Sequence, residues 1–419
     1  MKAATNTDSE SSRLGGLSRL READALVLTA LIWFLAKFLR YTFPPLFGTL
    51  QDSYGVSNTV VGSAFTALML AYALMQFPSG AFADEYGSVR VIALGVLVAG
   101  GGSLLVALAS PFPLLVAAMV LVGVGTGAHK TVAVGLLSTV YPQRTGRALG
   151  VLDTVGAFGG VAAPAVVVAF TAAGGFGWRA IFLLGAAGGL VLTLLFARQV
   201  PKRMPDDGTD DRSGSLDAGL RTYFGLFADR RFALFVVVTV LYSFVYNGVV
   251  AFLPLFLTEQ VGLSESFAGL LYSALFVVSL VQMVTGDLSD RMGRLPVMAA
   301  LLLLSALGLS VVVFAGGSPL VVAGAVVAFG LGGHGYRPVR GAYLVTVIPD
   351  DVAGGTLGIV RTASMVAGAA SPAVVGYLSD VADFTVAFGL MVVVTVVAVL
   401  LVGLLTIRDD GERRVERPA

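Results

Sequence analysis

Twelve long apolar stretches follow one another along this chain of 419 residues. A helix needs about 20 mainly apolar residues to cross a bilayer. The stretches reach that length, so the sequence predicts an all-α membrane protein with twelve transmembrane helices. The predicted spans, numbered 1 to 12 in chain order, are residues 25–47, 58–82, 89–109, 113–140, 146–172, 178–198, 232–257, 265–288, 295–315, 319–347, 354–379 and 384–406.

The proportion of charged residues supports the same class. Only 13% of the chain is charged and 56% is hydrophobic, whereas a soluble protein carries about 25% charge. The formal net charge of +1 gives no reason to expect a nucleic-acid partner. The chain has no cysteine and only two histidines, so neither a metal site nor another cofactor is predicted.

Lysine and arginine lie mainly in the loops on one side of the predicted membrane. Because the number of spans is even, both termini lie on that side, and the opposite loops contain only Arg179. This asymmetry predicts a multi-pass protein of the cytoplasmic membrane with both termini in the cytoplasm.

A polar linker divides the spans six and six. Its part from Leu216 to Phe227 predicts an amphipathic helix at the membrane surface, and the tail after Ile407 is expected to be disordered. The predicted organisation is a cytoplasmic N-terminal segment, a six-helix bundle, a cytoplasmic linker, a second six-helix bundle and a cytoplasmic tail, at residues 1–24, 25–198, 199–231, 232–407 and 408–419.

Sequence patterns recur between the two halves, which indicates an internal repeat. Gly123 to Lys130 in span 4 aligns without a gap with Gly330 to Arg337 in span 10. Spans 5 and 11 also align without a gap, and this places Asp153 on Arg361. The loops after spans 2 and 8 both contain the pattern Gly-x-x-x-Asp-x-x-Gly, with the residues Gly80, Asp84, Gly87, Gly286, Asp290 and Gly293.

Away from the ends of the predicted spans, the charged side chains are six cations and one carboxylate: Lys37, Arg40, Lys130, Asp153, Arg337, Arg340 and Arg361. An isolated charge in a bilayer costs at least about 2.5–3.5 kcal/mol, so such residues usually face a bundle interior or a wet cavity. One carboxylate cannot neutralise six cations. The excess predicts an anionic ligand, because arginine offers a planar fork to carboxylate or phosphate and lysine a point charge.

The sequence resembles the major facilitator superfamily of secondary transporters over about residues 25–407. The resemblance rests on the two loop patterns, which match the family motif Gly-x-x-x-Asp-x-x-Gly-Arg-Arg/Lys at the expected places in a six-plus-six chain. It implies two pseudo-symmetric six-helix bundles. Ser88 and Val89 replace the basic pair in the first copy, whereas Arg294 keeps the basic residue in the second.

The resemblance also implies a gating role for the motif residues, namely Gly80, Asp84, Gly87, Gly286, Asp290, Gly293 and Arg294. The alternative is that this pattern only forms a tight turn. In such a fold spans 1, 4, 7 and 10 line a central cavity, with spans 2, 5, 8 and 11 beside them. All seven charges fall on these eight spans.

We therefore expect a substrate site between the repeats, near the middle of the membrane. Its predicted binding residues are Lys37, Arg40, Lys130, Tyr246, Asn247, Arg337, Arg340 and Arg361, and its predicted proton carriers are Asp153, His129 and His334. Alternatives remain for several of them. Arg340 and Arg361 are near enough to helix ends to snorkel, Lys130 and Asp153 could form a structural pair, and both histidines could serve packing.

The leading hypothesis is a secondary transporter, acting as a monomer, that moves a small organic anion by alternating access. Either protons or a counter-anion would drive it. One alternative is a proton-driven exporter of drugs or lipid-like molecules, since Gly150, Gly159 and Pro164 partly match the antiporter signature of span 5. Another is a membrane sensor that binds a ligand without moving it.

Signatures of enzymes are absent or weak in the sequence. The chain contains neither His-Glu-x-x-His nor Gly-x-Ser-x-Gly. Gly123 to Thr131 superficially resembles a phosphate-binding loop, but His129 replaces the glycine before Lys130, and the run lies inside a predicted span rather than after a strand. We predict that the protein is not an enzyme.

Overall fold

The described part of the computed structural model, residues 23–172, 177–204, 226–314, 318–349 and 353–415, is helical and contains no strand. Twelve helices in it are long and apolar enough to cross a membrane, which confirms the predicted fold class. The helices of spans 1 to 12 are Asp24–Tyr41 with Phe47–Tyr54, Asn58–Tyr86, Ser88–Leu108, Phe112–Val140, Thr145–Ala172, Arg179–Gln199, Arg230–Leu255, Glu265–Val277 with Gln282–Met292, Arg294–Phe314, Pro319–Val347, Ala353–Val381 and Phe384–Val415.

Three predicted boundaries differ from the structure. Span 1 was expected to end at residue 47, but it passes through a 3-10 turn at Pro44–Leu46 and continues to Tyr54. Adjacent prolines remove backbone donors and interrupt an α-helix, yet the chain here resumes the same direction. Span 8 is interrupted by a 3-10 turn at Val278–Val281. The tail was expected to be disordered from residue 408, and this was wrong as far as Val415, where the helix of span 12 ends.

Most of the predicted surface helix in the linker lies outside the described residues, which resume at residue 226. Leu226–Ala228 form a single 3-10 turn. Arg203, at the start of the linker, pairs with Asp24 at 3.0 Å and so ties the end of span 6 to the start of span 1.

Both copies of the loop pattern form the same tight turn. Gly87 has φ 87° and ψ 139°, and Gly293 has φ 90° and ψ 143°. A positive φ is readily adopted only by glycine, so the last glycine of each pattern is required by the backbone. The turn joins consecutive spans at a single residue in both halves.

Small residues bring corresponding helices together in the two halves. A Cβ at Gly125 of span 4 would collide with the backbone of Ala99 on span 3, and a Cβ at Gly332 of span 10 would collide with the backbone of Leu301 on span 9. Such close approach is a common basis of helix association in lipid. In each half, backbone contact therefore holds span 4 against span 3 and span 10 against span 9.

The two halves contact one another near one face of the membrane. We call the face where span 1 begins the terminal face, and the other the opposite face. Phe47 and Phe252, near the opposite face, have ring centroids 5.1 Å apart across the halves. The Ser273 hydroxyl of span 8 donates to the Val161 carbonyl of span 5 at 2.9 Å. These contacts close the interface on that side.

Candidate functional site

Three cations of the first half surround one indole. Lys37 Nζ, Arg40 Cζ and Lys130 Nζ lie 5.3, 5.4 and 5.5 Å from the ring centroid of Trp33. Positions 33, 37 and 40 share one face of span 1 because of the helical repeat. Cations at these distances from an aromatic face are attracted by its quadrupole. The buried indole rests against Gly156 of span 5, where a Cβ would collide with it.

The Arg40 guanidinium is buried between two aromatic rings. Its Cζ lies 3.8 Å from the ring centroid of Tyr72 on span 2, and only 3% of the residue is exposed. Nη1 is buried and has no hydrogen-bond partner among the described residues. A guanidinium cannot be deprotonated in a protein. Arg40 therefore has one buried donor that a ligand could use.

Lys130 of span 4 forms an ion pair with Asp153 of span 5. The lysine side chain is 18% exposed, whereas the aspartate side chain is 60% exposed. The carboxylate is thus open on the side away from the ammonium. The structure thus shows Lys130 and Asp153 as partners, and the role of Asp153 as a proton carrier stays a prediction.

Gln76 joins the two halves beside this pair. Its Oε1 accepts hydrogen bonds from the Thr131 hydroxyl at 2.8 Å and from Arg361 Nη2 at 3.3 Å, and its Nε2 donates to the Gly127 carbonyl at 3.2 Å. Arg361 belongs to span 11 of the second half, so the predicted site residue contacts the first half through this amide. The sequence analysis did not single out Gln76, because a neutral amide is not unusual inside a transmembrane helix.

Two tyrosines of span 7 hold Arg337 in the second half. Arg337 Cζ lies 4.2 Å from the ring centroid of Tyr246, and its Nε donates to the Tyr242 hydroxyl at 3.4 Å. Tyr242 in turn donates to the carbonyl of Gly333. The Tyr246 hydroxyl lies 3.2 Å from Nε2 of His334. Positions 242 and 246 lie one turn apart on the helix, so both reach the same guanidinium.

The two clusters face one another across the halves. Lys37 lies near enough to Arg40, Lys130, Asp153 and Arg337 to interact with each electrostatically. No carboxylate among the described residues forms an ion pair with Lys37, Arg40 or Arg337. The structure therefore brings together four of the predicted cations around a single carboxylate.

Four other predicted site residues, Asn247, Arg340, His129 and His334, make different contacts. Asn247 donates to the Ser243 carbonyl of its own helix at 2.8 Å. Arg340 lies about one turn closer to the terminal face than Arg337, and its buried Nε has no partner among the described residues. His129 stacks on Trp33 at 5.8 Å, and His334 contacts Tyr246 edge-on. Both histidines are almost fully buried.

The predicted gating residues show different states in the two halves. Asp84 is exposed and has no hydrogen bond or ion pair with the described residues. Asp290 lies 3.9 Å from Arg294, which also donates to the Thr346 hydroxyl at the end of span 10. Around Gly80 and Gly286 there is room for a side chain. Their gating role stays a prediction.

Comparison of the sequence with known proteins identifies its family. The family profile described as Major Facilitator Superfamily matches residues 29–281 and 237–419. The riboflavin transporter RibZ of Clostridioides difficile is 23% identical over 373 residues, covering 77% of this chain and 81% of its own. The 3-(3-hydroxy-phenyl)propionate transporter of Escherichia coli is 27% identical over 262 residues, covering 62% of each.

A solved structure shares the fold. The crystal structure of a bacterial homolog to the human lysosomal transporter Spinster, in an inward-facing and unoccupied conformation, superposes with a TM-score of 0.75 at 18% identity. The superposition covers 92% of this chain and 97% of that one. With twelve spans, two equivalent turns and a profile match along nearly the whole length, the chain belongs to the major facilitator superfamily.

Proposed function

We propose that this protein moves a small organic anion across the cytoplasmic membrane by alternating access. Secondary transport is the general activity of its relatives; the anionic substrate is our inference. One observation carries it: Lys37 and Arg40 of one half and Arg337 of the other have no carboxylate partner among the described residues, since the nearby Asp153 is paired with Lys130. An anion between the halves would supply the missing charge.

The anion would bind by charge-assisted hydrogen bonds. Arg337 is presented by the Tyr242 hydroxyl and the Tyr246 ring, and its planar fork suits a carboxylate, sulfonate or phosphate. Lys37 would reach the same ligand from span 1. Because the cations of the two halves repel each other when the site is empty, a bridging anion favours closure of the halves around it.

Coupling would act through Asp153. When its carboxylate is ionised it holds Lys130, and when it takes a proton Lys130 is free to bind the anion. A proton and an anion would then travel together. In anion exchange, a counter-anion would occupy the site on the return step instead.

The orientation follows from the positive loops. With both termini in the cytoplasm, the terminal face is cytoplasmic, and the contacts of Phe47 and Ser273 close the outer side. The site would then be reached from the cytoplasm in this conformation. We propose that a single chain suffices for transport, because both clusters come from one chain.

Uptake by purified protein in liposomes tests the proposal. Uptake of radiolabelled organic acids should depend on a proton gradient or on internal anion, and Arg337→Ala should abolish it. Arg291→Ala, which removes an exposed arginine at the terminal-face end of span 8, is the matched control and should transport normally. Normal uptake by Arg337→Ala would refute the site assignment. A sensor would bind the acid without exchanging it.

A further inference from the structure

The end of span 11 supplies a cap for span 2 of the other half. Asp380 Oδ1 accepts a hydrogen bond from the Asn58 amide at 3.1 Å. Its Oδ2 accepts from the Thr59 amide at 2.7 Å and from the Thr59 hydroxyl at 2.6 Å. Asn58 and Thr59 are the first two residues of the helix of span 2. The carboxylate thus binds free amides where the helix dipole favours negative charge.

The helix of span 2 lacks the usual local cap. Ser57 occupies its N-cap position in an extended conformation, but its side chain does not cap the helix. Serine at this position normally accepts a bond from the second or third amide of the helix. Here a residue more than 300 positions later in the sequence does so. The first turn of span 2 is therefore completed only when the two halves are in contact.

The backbones of these two helices touch beside the cap. A Cβ at Gly376, one turn before Asp380, would collide with the Asn58 carbonyl. A Cβ at Gly62 would collide with the Pro372 carbonyl. The Thr66 hydroxyl accepts a hydrogen bond from the Ala373 amide at 3.0 Å. Glycine on each helix lets the helices approach until Asp380 reaches the amides.

We propose that Asp380 is a latch that holds the two halves together at the opposite face and sets how often that face opens. The proposal rests on alternating access, because opening this face must break the three bonds to Asn58 and Thr59. Gly376 and Asp380 repeat the Gly-x-x-x-Asp spacing of Gly80 and Asp84. In this conformation Asp380 accepts these bonds, whereas Asp84 at the terminal face forms no hydrogen bond or ion pair with the described residues.

Thiol labelling measures the opening directly. The chain has no cysteine, so Ser273→Cys introduces a single thiol of similar shape in the seam between spans 5 and 8. An impermeant maleimide added from the opposite face should label it only when the halves part. Asp380→Ala should raise the labelling rate about fivefold. This factor corresponds to the roughly 1 kcal/mol that loss of one capping side chain typically costs.

Asp383→Ala is the matched control. Asp383 lies three residues later at the same face but caps span 12 of its own half, through the Val386 amide at 2.7 Å. Its loss should leave labelling unchanged. Thr59→Val should give a smaller increase than Asp380→Ala, and the two changes together should have less than the summed effect because they remove one interaction.

Labelling is measured without substrate, so the test is independent of which anion is carried. Equal labelling of Asp380→Ala, Thr59→Val and the parent would overturn the latch. A rise of the same size in Asp383→Ala would also overturn it, because loss of any helix cap at this face would then increase labelling to the same extent. Gly376→Ala gives a second route, since its added carbon should push span 11 away from Asn58 and raise labelling even with Asp380 intact.

Discussion

Lys130 and Asp153 form an ion pair in the first half, whereas the residues at the equivalent positions of the second half, Arg337 and Arg361, are both cations. The repeat therefore preserves backbone geometry and changes charge. In the first half, Asp153 neutralises Lys130. In the second half, Arg337 and Arg361 lack such a carboxylate and require a hydroxyl, an amide or a ligand as partner.

Asp153→Asn should separate binding from coupling. Without the carboxylate, Lys130 is permanently free, so we expect anion exchange between equal internal and external concentrations to continue. Accumulation driven by a proton gradient should be lost, because no proton is needed to release Lys130. Exchange and gradient-driven uptake are measured on the same liposomes. Full gradient-driven accumulation by the variant would show that protons act elsewhere.

The ring of Tyr246 should matter more than its hydroxyl. Tyr246→Phe keeps the aromatic face beneath Arg337 and removes the hydroxyl that lies beside His334. Tyr246→Leu removes the face, and a cation–π contact contributes about 0.5–2 kcal/mol. We expect anion affinity to fall roughly 2- to 30-fold in the leucine variant and to change little in the phenylalanine variant. Equilibrium binding by calorimetry checks the order, and the reverse order would contradict it.

Molecules with two anionic groups should bind more tightly than matched monoanions. Cations contributed by both halves can engage one group each, as Lys37 and Arg337 lie across the interface from one another. Thermal shift with succinate against butyrate, or sulfoacetate against acetate, makes the comparison at constant ionic strength. Stabilisation by cationic dyes, with none by either class of anion, would favour the exporter hypothesis.

Gly156→Ala should disperse the first-half cluster. The added carbon collides with the Trp33 indole, around which Lys37, Arg40 and Lys130 are arranged. Overpacking of this kind typically costs about 1–3 kcal/mol, so both thermal stability and anion affinity should fall. Gly150→Ala, on the same helix with open space around it, is the control and should leave affinity unchanged. Equal behaviour of the two variants would contradict the packing argument.

Two features were predictable from the sequence. The twelve spans follow from the length of the apolar stretches. The proximity of Lys37, Arg40, Lys130 and Arg337 follows from the cost of an isolated charge in a bilayer, which favours a shared cavity. Span 1 was predicted too short because residues 48–54 are mostly polar, whereas in the structure they belong to a further helix that follows the 3-10 turn at Pro44–Leu46.

Some neutral residues inside the spans, and a polar residue at the end of a span, were not predicted. Tyr72 and Gln76 carry no charge, and neither residue type is unusual inside a transmembrane helix, so only the fold reveals that they contact Arg40 and Arg361. Asp380 lies at the end of a span, where acidic residues are ordinary. Asn247 was predicted from its place beside Tyr246, but its amide bonds to its own helix.

The indole that gathers three cations gives this protein an optical reporter of its own site. The chain has only two tryptophans, and Trp178 lies at the start of span 6, packed edge-on against Phe182. Replacing it with phenylalanine would leave Trp33 as the sole indole emitter. Because the excited state of an indole responds to nearby charge, arrival of an anion beside Lys37 would shift the emission without any attached dye.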